Sequence, residues 1–247
     1  METWDAKKAL QDLPLAEEPD DLLRNFSFLL PKTDLGLDLG SGDGRNSIFL
    51  AQMGLQMKAV DSSRLALSRL KEKARGQHLN ILTFRQDMTE FHLETHQYHV
   101  ILCLWSLMYL QPKQILMLAQ RIMAGLQPGG LLFCSVFTDQ DNFSAAQRRL
   151  VQVGEHLYQK KGWGTLYFFA PCELEGLFRD LRLLYYTEGH SSDFLRGSVP
   201  HRHNWAQARR WAAAGRDLKE HNLVFPPMLC GPGSEPIPQN ESSALLA

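Results

Sequence analysis

The stretch Leu37-Asp38-Leu39-Gly40-Ser41-Gly42-Asp43-Gly44-Arg45-Asn46 decides the fold of this chain. The apolar run from Leu35 to Leu39 predicts a short buried strand, and three glycines follow at every second position. A helical spacing of apolar residues then begins at Ile48. A strand, a glycine turn and a helix in this order let a backbone approach a nucleotide-like ligand closely. Glycine is expected there because a side chain would collide with the ligand or forbid positive φ angles.

The composition points to a globular protein with one α/β domain. The chain has 247 residues, of which 44% are hydrophobic and 21% charged, and its formal charge is −1. That charge gives no reason to expect a nucleic-acid or membrane partner. The four cysteines lack the spacing of a metal site, so no metal is expected. Without a secretory signal or a run of about 18 apolar residues, the predicted location is cytoplasmic, and the oligomeric state is left open.

Strand and helix patterns alternate after the glycine turn. Further strands are predicted at Gln56 to Val60, Ile81 to Phe84, His99 to Trp105 and Leu131 to Phe137, with a helix beginning at Pro112 and a turn at Pro128-Gly129-Gly130. Short connections between such elements indicate a mostly parallel sheet wrapped by helices. The predicted fold class is therefore α/β, with a Rossmann-like doubly wound sheet.

The rest of the chain is assigned more coarsely. Residues 1–31 predict an N-terminal helical segment with a helix at Leu22 to Leu30, and residues 32–217 the main domain. Residues 138–178 are interpreted as an insertion that caps the substrate, with a polar helix at Asp141 to Lys161. A helix at Pro171 to Phe178 and a sixth strand at Leu181 to Tyr186 follow. Residues 199–211 predict a seventh strand, although 206–214 fit a helix equally well. Residues 218–247 predict a poorly ordered tail.

Three acids follow or end successive strands and narrow the choice of ligand. The spacing Gly-x-Gly-x-Gly differs from the dinucleotide pattern Gly-x-Gly-x-x-Gly. Asp38 would repel a pyrophosphate, but it could hold the ammonium of an amino-acid moiety directly or through water. Asp61 could accept both hydroxyls of a ribose, and Asp87 could accept from an adenine amino group. Each acid alone fits a helix cap or a solvated turn equally well; together they indicate S-adenosyl-L-methionine.

These residues resemble those of the class I S-adenosylmethionine-dependent methyltransferases. The resemblance rests on the glycine stretch, Asp61, Asp87-Met88 and Leu126 to Gly130, and covers about residues 30–137. More narrowly, Gly44-Arg45-Asn46-Ser47 and the Tyr98 to Leu110 region resemble the tellurite-resistance (TehB-like) methyltransferases. The resemblance implies a seven-stranded sheet whose last strand is antiparallel.

The resemblance also implies a cofactor site across the carboxyl ends of the first four strands. The loop glycines would contact the amino-acid portion, Asp61 the ribose, Asp87 and Met88 the adenine, and the backbone near Leu104 the sulfonium side. The complete predicted cofactor-binding set is Asp38, Gly40, Gly42, Gly44, Arg45, Asn46, Asp61, Ser62, Asp87, Met88 and Leu104.

The narrower family acts on small chalcogen compounds and holds an oxyanion with a late set of histidine and arginine. The resemblance places His190 on the family histidine. Two family arginines meet Ser191 and Ser198 instead, and Arg196 and Arg202 are the candidates to replace them. This chain departs from the family at those two positions, and a solvated basic strand and loop would explain the late arginines as well.

Three functions stay open from the sequence. The first is methyl transfer to a small molecule, with a sulfur, selenium or tellurium nucleophile, or to a protein or another amine or hydroxyl acceptor. The second is an inactive cofactor-binding partner subunit, which the intact loop and Asp61 disfavour. The third is a nicotinamide-dependent oxidoreductase, which the glycine spacing and Asp38 disfavour.

Overall fold

A parallel sheet forms the centre of the protein. The computed structural model describes residues 18–139, 150–160, 164–193 and 201–211. The parallel strands are β1 (Leu35–Leu39), β2 (Gln56–Asp61), β3 (Ile81–Arg85), β4 (Tyr98–Leu104) and β5 (Leu126–Phe137), in the spatial order β3-β2-β1-β4-β5. The predicted Rossmann-like α/β class is confirmed by this core. The strand order reverses between β1 and β4, the place where open α/β sheets bind their ligands.

Helices cover both faces of this sheet. They are α1 (Asp21–Asn25), α2 (Arg45–Gln52), α3 (Arg64–Gly76) and α4 (Pro112–Gly125). Alternate residues of β4 enter different apolar clusters: Ile101 packs with α4, and Leu102 packs with α1 and α2. Burial on both faces explains why β4 is a near-continuous apolar run. Within the described ranges, no helix is long and apolar enough to cross a membrane.

The N-terminal helix is shorter than the sequence predicts. The helix expected at Leu22 to Leu30 is divided into α1 and a 3-10 turn at Ser27–Leu29. Leu22 and Leu23 are buried in the same cluster as residues of α2 and β4. The described part of the N-terminal segment therefore packs as part of the main core.

The insertion after β5 contains strands where a helix was predicted. Its strands β6 (Leu150–Gly154), β7 (Leu157–Lys160) and β8 (Gly164–Tyr167) form an antiparallel sheet, followed by helix α5 (Glu173–Leu177). The prediction of a helix at Asp141 to Lys161 is wrong over residues 150–160; residues 140–149 and 161–163 lie outside the described residues. The chain reverses at His156, whose φ is 54° and whose carbonyl accepts from the Phe168 backbone at 2.9 Å. β7 pairs with β6 on one edge and with β8 on the other, and this pairing stabilises the extended conformation relative to the predicted helix.

Two late strands extend the sheet beyond β5. β9 (Arg182–Asp193) and β10 (His201–Trp211) are antiparallel to each other, and β10 is antiparallel to β5. The strand prediction for residues 201–211 is correct, and the helical alternative fails over 206–211. Trp205 pairs with Phe137, the last residue of β5, so residues 201–204 pair with β9 beyond that end. The predicted tail at 218–247 lies outside the described residues.

Gly54 lies in the turn between α2 and β2, and a substitution there tests how closely this turn packs against the backbone at Lys32. Its φ is 105°, and a Cβ there would lie 2.4 Å from the carbonyl oxygen of Lys32. We expect Gly54→Ala to lower the free energy of unfolding by about 2 kcal/mol or more, because the overlap is with backbone and the φ is unfavourable. Gly76→Ala is the control, since a Cβ there meets nothing within 4 Å. Urea denaturation that shows equal effects for both variants would contradict this packing.

Candidate functional site

The glycine loop is held by contacts to the protein itself. The backbone N–H groups of Gly40 and Ser41 both donate to the carbonyl of Val60, at 2.8 and 3.0 Å. Gly40, Gly42 and Gly44 have φ angles of 77°, 58° and 85°. A Cβ on Gly40 would lie 2.5 Å from the Ser106 Cβ, and one on Gly44 would lie 2.2 Å from the Leu70 side chain. At these two positions, a residue larger than glycine would collide with side chains of the protein itself. The sequence predicted a collision with the ligand instead.

Asp38 lies beneath the loop and is only 2% exposed. Its Oδ2 accepts a hydrogen bond from the Ser47 hydroxyl at 2.7 Å. Burial raises the pKa of this carboxyl from 3.8 to about 6, and the charge of Asp61 raises it further, while the Ser47 hydrogen bond and Arg45 oppose the rise. The group therefore changes its charge close to neutral pH, which is unusual for an aspartate.

Asp61 connects the end of β2 to the loop. Its Oδ2 accepts from the backbone of Gly42 at 2.7 Å, and its Oδ1 accepts from the backbone of Ser63 at 2.8 Å. Ser63, rather than its half-buried neighbour Ser62, caps helix α3 through a hydrogen bond from the Ala66 backbone. Each carboxylate oxygen can accept two hydrogen bonds, so Asp61 retains capacity for a ligand.

The remaining predicted contacts lie after β3 and β4. Asp87 is exposed, and its Oδ1 accepts from the backbone and hydroxyl of Thr89 at 2.8 and 2.7 Å. Met88 is partly buried against the core. Leu104 is the buried last residue of β4, at the same edge of the sheet as the glycine loop. The three positions thus follow or end parallel strands of the same sheet, with β2 and β1 between them.

Arg45 and Asn46 contact the N-terminal segment. The Asn46 Oδ1 accepts from the Asp20 backbone at 2.8 Å. The Arg45 guanidinium lies 3.9 Å from the Asp20 carboxylate and donates to the Glu18 carbonyl at 3.3 Å. Asp20 is a functional candidate that the sequence interpretation missed, because its only local signal is that of a helix cap.

The late histidine and arginines are only partly described. β9 places His190 opposite Asn204, and β10 places Arg202 opposite Ser192. Both backbone positions lie in the two-stranded extension beyond the end of β5, next to the carboxyl edge of the parallel strands. Arg196 lies outside the described residues. The register brings His190 and Arg202 near each other, and their predicted roles stay predictions.

Comparisons of the sequence identify relatives of the central region. Residues 37–130 match the methyltransferase domain family. A carboxy-S-adenosyl-L-methionine synthase of Vibrio vulnificus is 31% identical over an alignment of 117 residues that covers 43% of this chain and 45% of the relative. The enzyme of the same name from Hydrogenovibrio crunogenus is 30% identical over 125 residues, 49% of this chain and 47% of the relative. The chain spans about half the length of the curated relatives it matches.

Solved structures share the fold at low sequence identity. An S-adenosylmethionine-dependent methyltransferase from Methanosarcina mazei superposes with a TM-score of 0.65 and 15% identity, covering 80% of this chain and 100% of the other. TehB from Haemophilus influenzae superposes with a TM-score of 0.59 and 19% identity, covering 78% of this chain and 60% of the other. The glycine loop and the parallel strands around it fall largely within the matched residues 37–130. Residues 37–130 thus form a methyltransferase domain of the class I S-adenosylmethionine-dependent type.

Proposed function

We propose that this protein transfers the methyl group of S-adenosyl-L-methionine to a small-molecule acceptor, with a sulfur, selenium or tellurium nucleophile as the first candidate class. The observation that carries the proposal is the glycine loop, which is held at the reversal of strand order with Asp61 bonded to it. This combination supports a ligand that presents an amino acid at one end and a ribose at the other.

An unsatisfied polar atom in the loop supports the fit of this cofactor. The Ser41 hydroxyl is buried and has no hydrogen-bond partner among the described residues. Buried polar atoms are normally paired, so a polar ligand atom on the loop would complete the site. We assign the loop to the amino-acid portion, Asp61 to the ribose, and Asp87 and Met88 to the adenine. When bound, S-adenosylmethionine supplies an activated methyl group.

The protein's own task would be to align the acceptor and to exclude water. Such positioning contributes on the order of 7–11 kcal/mol to a group transfer. A soft nucleophile needs little or no general base, whereas an amine or hydroxyl usually has to lose a proton. We assign acceptor binding to His190 and Arg202, supported by their register beyond the end of β5, and to Arg196 with them. Acceptors on proteins and an inactive partner subunit are the alternatives.

The finer architecture belongs to the same proposal. The two late strands extend the parallel core to seven strands in the order β3-β2-β1-β4-β5-β10-β9. We infer that this is the class I methyltransferase arrangement, in which the last strand along the chain is antiparallel. The small sheet and α5 within residues 138–178 would then cap the acceptor. The bridge between Thr138 and Phe169, which holds the insertion at the end of β5, supports that placement.

The curated relatives favour a second candidate function. They are named carboxy-S-adenosyl-L-methionine synthases, and the similarity covers about half of each chain. A reaction on the cofactor itself would need no separate methyl acceptor. It would need a readily decarboxylated acid as the source of CO2, and this acid takes up the proton that the methyl group loses, so the product would be an S-adenosylmethionine in which a carboxylate replaces one hydrogen. Mass spectrometry separates this product from S-adenosylhomocysteine.

Binding and transfer assays test these functions. We expect calorimetric titration to show binding of S-adenosylmethionine and S-adenosylhomocysteine and no binding of a reduced nicotinamide dinucleotide. Methyl transfer is then measured on a panel of thiol, selenite, tellurite and amine acceptors, and carboxylation in parallel incubations with readily decarboxylated acids, with mass spectrometry of the products. Binding of the dinucleotide alone would overturn the proposal, and a carboxylated nucleoside product would favour the second candidate.

Asp61 tests the assigned ribose contact. We expect Asp61→Ala to weaken S-adenosylmethionine binding by about 1–3 kcal/mol, because the ribose hydroxyls lose a charged acceptor. Asp61 also holds backbone N–H groups of the loop and of α3, so Ser63→Ala serves as the control. That variant loses the cap of α3 but leaves the carboxylate in place. If calorimetry shows that Asp61→Ala binds S-adenosylmethionine as tightly as wild type, Asp61 has only a structural role in the loop.

Asp38 produces a dependence of stability on pH. Its pKa in the folded protein, about 6, exceeds its ordinary value of 3.8, so the folded state binds the proton more tightly than the unfolded state. The stability gained from protonated Asp38 is complete below about pH 4 and is lost as the pH rises through about 6. We expect Asp38→Asn, which stays neutral, to raise the Tm of the ligand-free protein near about pH 7.5.

The same variant tests whether Asp38 holds the ammonium group of the cofactor, as the sequence suggests. Wild-type affinity for S-adenosylmethionine should fall as the pH is lowered through about 6, because a neutral Asp38 no longer attracts the cofactor's ammonium. Asp38→Asn should bind weakly, with little change between these pH values. Calorimetry at several pH values measures both effects. If Asp38→Asn binds like wild type at neutral pH, Asp38 has a structural role alone.

His190 tests the acceptor side. We expect His190→Ala to lower turnover and to leave the affinity for S-adenosylhomocysteine intact, because the residue is assigned to the acceptor. Asn204→Ala, at the register partner of His190 on β10, controls for disturbance of the strands. Single-turnover rates and calorimetry measure the two effects separately. Unchanged turnover would remove His190 from the acceptor site.

A further inference from the structure

Trp105 has an unusual backbone conformation at the edge of the site. Its φ is 57°, in the left-handed region that bulky residues rarely adopt. It directly follows Leu104, the last residue of β4, and its backbone N–H donates to the Ser135 carbonyl at 2.9 Å. The next residue, Ser106, donates its hydroxyl hydrogen bond to the Leu39 carbonyl at the start of the glycine loop. Strain of this kind persists only where surrounding contacts maintain it.

A buried carboxylate holds the indole of Trp105. The Trp105 Nε1–H donates to the Asp20 Oδ2 at 2.7 Å, across 85 positions of sequence. Asp20 is 6% exposed, and burial raises its pKa despite this hydrogen bond and the nearby Arg45. Its Oδ1 accepts from the Leu22 backbone at 3.0 Å, so both carboxylate oxygens have partners. Burial of a carboxylate is costly, and hydrogen bonds to it are correspondingly strong.

Asp20 also connects two elements that border the reversal of strand order. On one side, its backbone donates to the Asn46 side chain in the first turn of α2, directly after the glycine loop. On the other side, its carboxylate holds Trp105 at the end of β4. The glycine loop and the end of β4 border the reversal of strand order, where an open sheet binds its ligand. The N-terminal segment is anchored in this place by the buried Leu22 and Leu23.

We propose that Asp20 is a positioning residue, which fixes the Trp105 indole against the sulfur end of the bound cofactor and makes the N-terminal segment a wall of the cofactor site. The proposal rests on the proposed function, because it takes S-adenosylmethionine or its product as the ligand. Trp105 is also 5.4 Å from the Phe137 ring at the end of β5, measured between ring centroids. The indole thus contacts both the N-terminal segment and the strand that leads into the insertion.

Calorimetry with S-adenosylhomocysteine tests the proposal. We expect Asp20→Ala to weaken binding about tenfold, as for the loss of one hydrogen bond to a charged group. Asp20→Asn should lose less affinity than Asp20→Ala but more than a neutral change, because its single amide oxygen can accept from the indole only when its amide nitrogen faces the Leu22 backbone N–H. Asp21→Ala is the matched control: it removes the neighbouring acid of α1, which is exposed and pairs with Arg24. It should bind like wild type.

Trp105→Phe removes the same hydrogen bond from the other partner. We expect Trp105→Phe to weaken binding of S-adenosylhomocysteine as much as Asp20→Ala does. The double variant should bind as tightly as either single variant, because all three variants lose the same hydrogen bond. In ¹⁵N-labelled wild type, the Trp105 indole N–H signal, assigned by its absence in Trp105→Phe, should shift when S-adenosylhomocysteine is added. That shift would not occur if the hydrogen bond served folding alone.

The outcomes separate the two proposals. Wild type that binds neither S-adenosylmethionine nor S-adenosylhomocysteine would overturn the proposed function. Wild type that binds S-adenosylhomocysteine, together with Asp20→Ala and Trp105→Phe variants of equal affinity, would overturn the positioning role alone. An indole signal that does not respond to the ligand, or additive losses in the double variant, would overturn it too. If Asp20→Ala does not fold, the affinity of Trp105→Phe and the response of the indole signal decide by the same criteria.

Discussion

The close approach of Gly40 to Ser106 constrains the whole carboxyl edge of the parallel sheet. There is no room for a Cβ on Gly40, since it would lie 2.5 Å from the Ser106 Cβ. The Ser106 hydroxyl donates to the Leu39 carbonyl, which joins the ends of β1 and β4. The carbonyl of Val60 binds two backbone N–H groups of the loop, which joins β2 to the same point. The loop is therefore shaped by the protein before a ligand arrives, and binding has less conformational entropy to overcome.

Two buried carboxylates lie close to this loop in the chain or in space. Asp38 precedes it in β1 and is bonded to Ser47 of α2, whereas Asp20 in the N-terminal segment is bonded to Trp105 and to Asn46 just after the loop. Burial raises the pKa of both groups. A fold selected for stability alone would avoid such groups, and departures from local rules concentrate at functional sites. Their position around the glycine loop is consistent with a site that recognises a charged, polar ligand.

The predictions from sequence differ in quality for physical reasons. The parallel strands were predicted because each is a short apolar run followed by turn residues, and burial on both faces requires that composition. The helix predicted over residues 150–160 was wrong because the pairing of β7 with both neighbours, and the contact of Phe168 with His156, decide that segment. Likewise, α1 ends at Asn25 because the chain turns to bury Leu30 against the core.

The sequence by itself determined the α/β class, the glycine loop and the placement of Asp38, Asp61 and Asp87 around one edge. These follow from local patterns, since the carboxyl ends of parallel strands meet at the same edge of a sheet. Only the tertiary structure decided that Asp20 holds Trp105 and that Ser106 faces Gly40. These contacts join residues from distant parts of the chain, and neither partner carries a local signal of the other. Periodicity reports which face of an element is buried, whereas the partner across the core is chosen by packing.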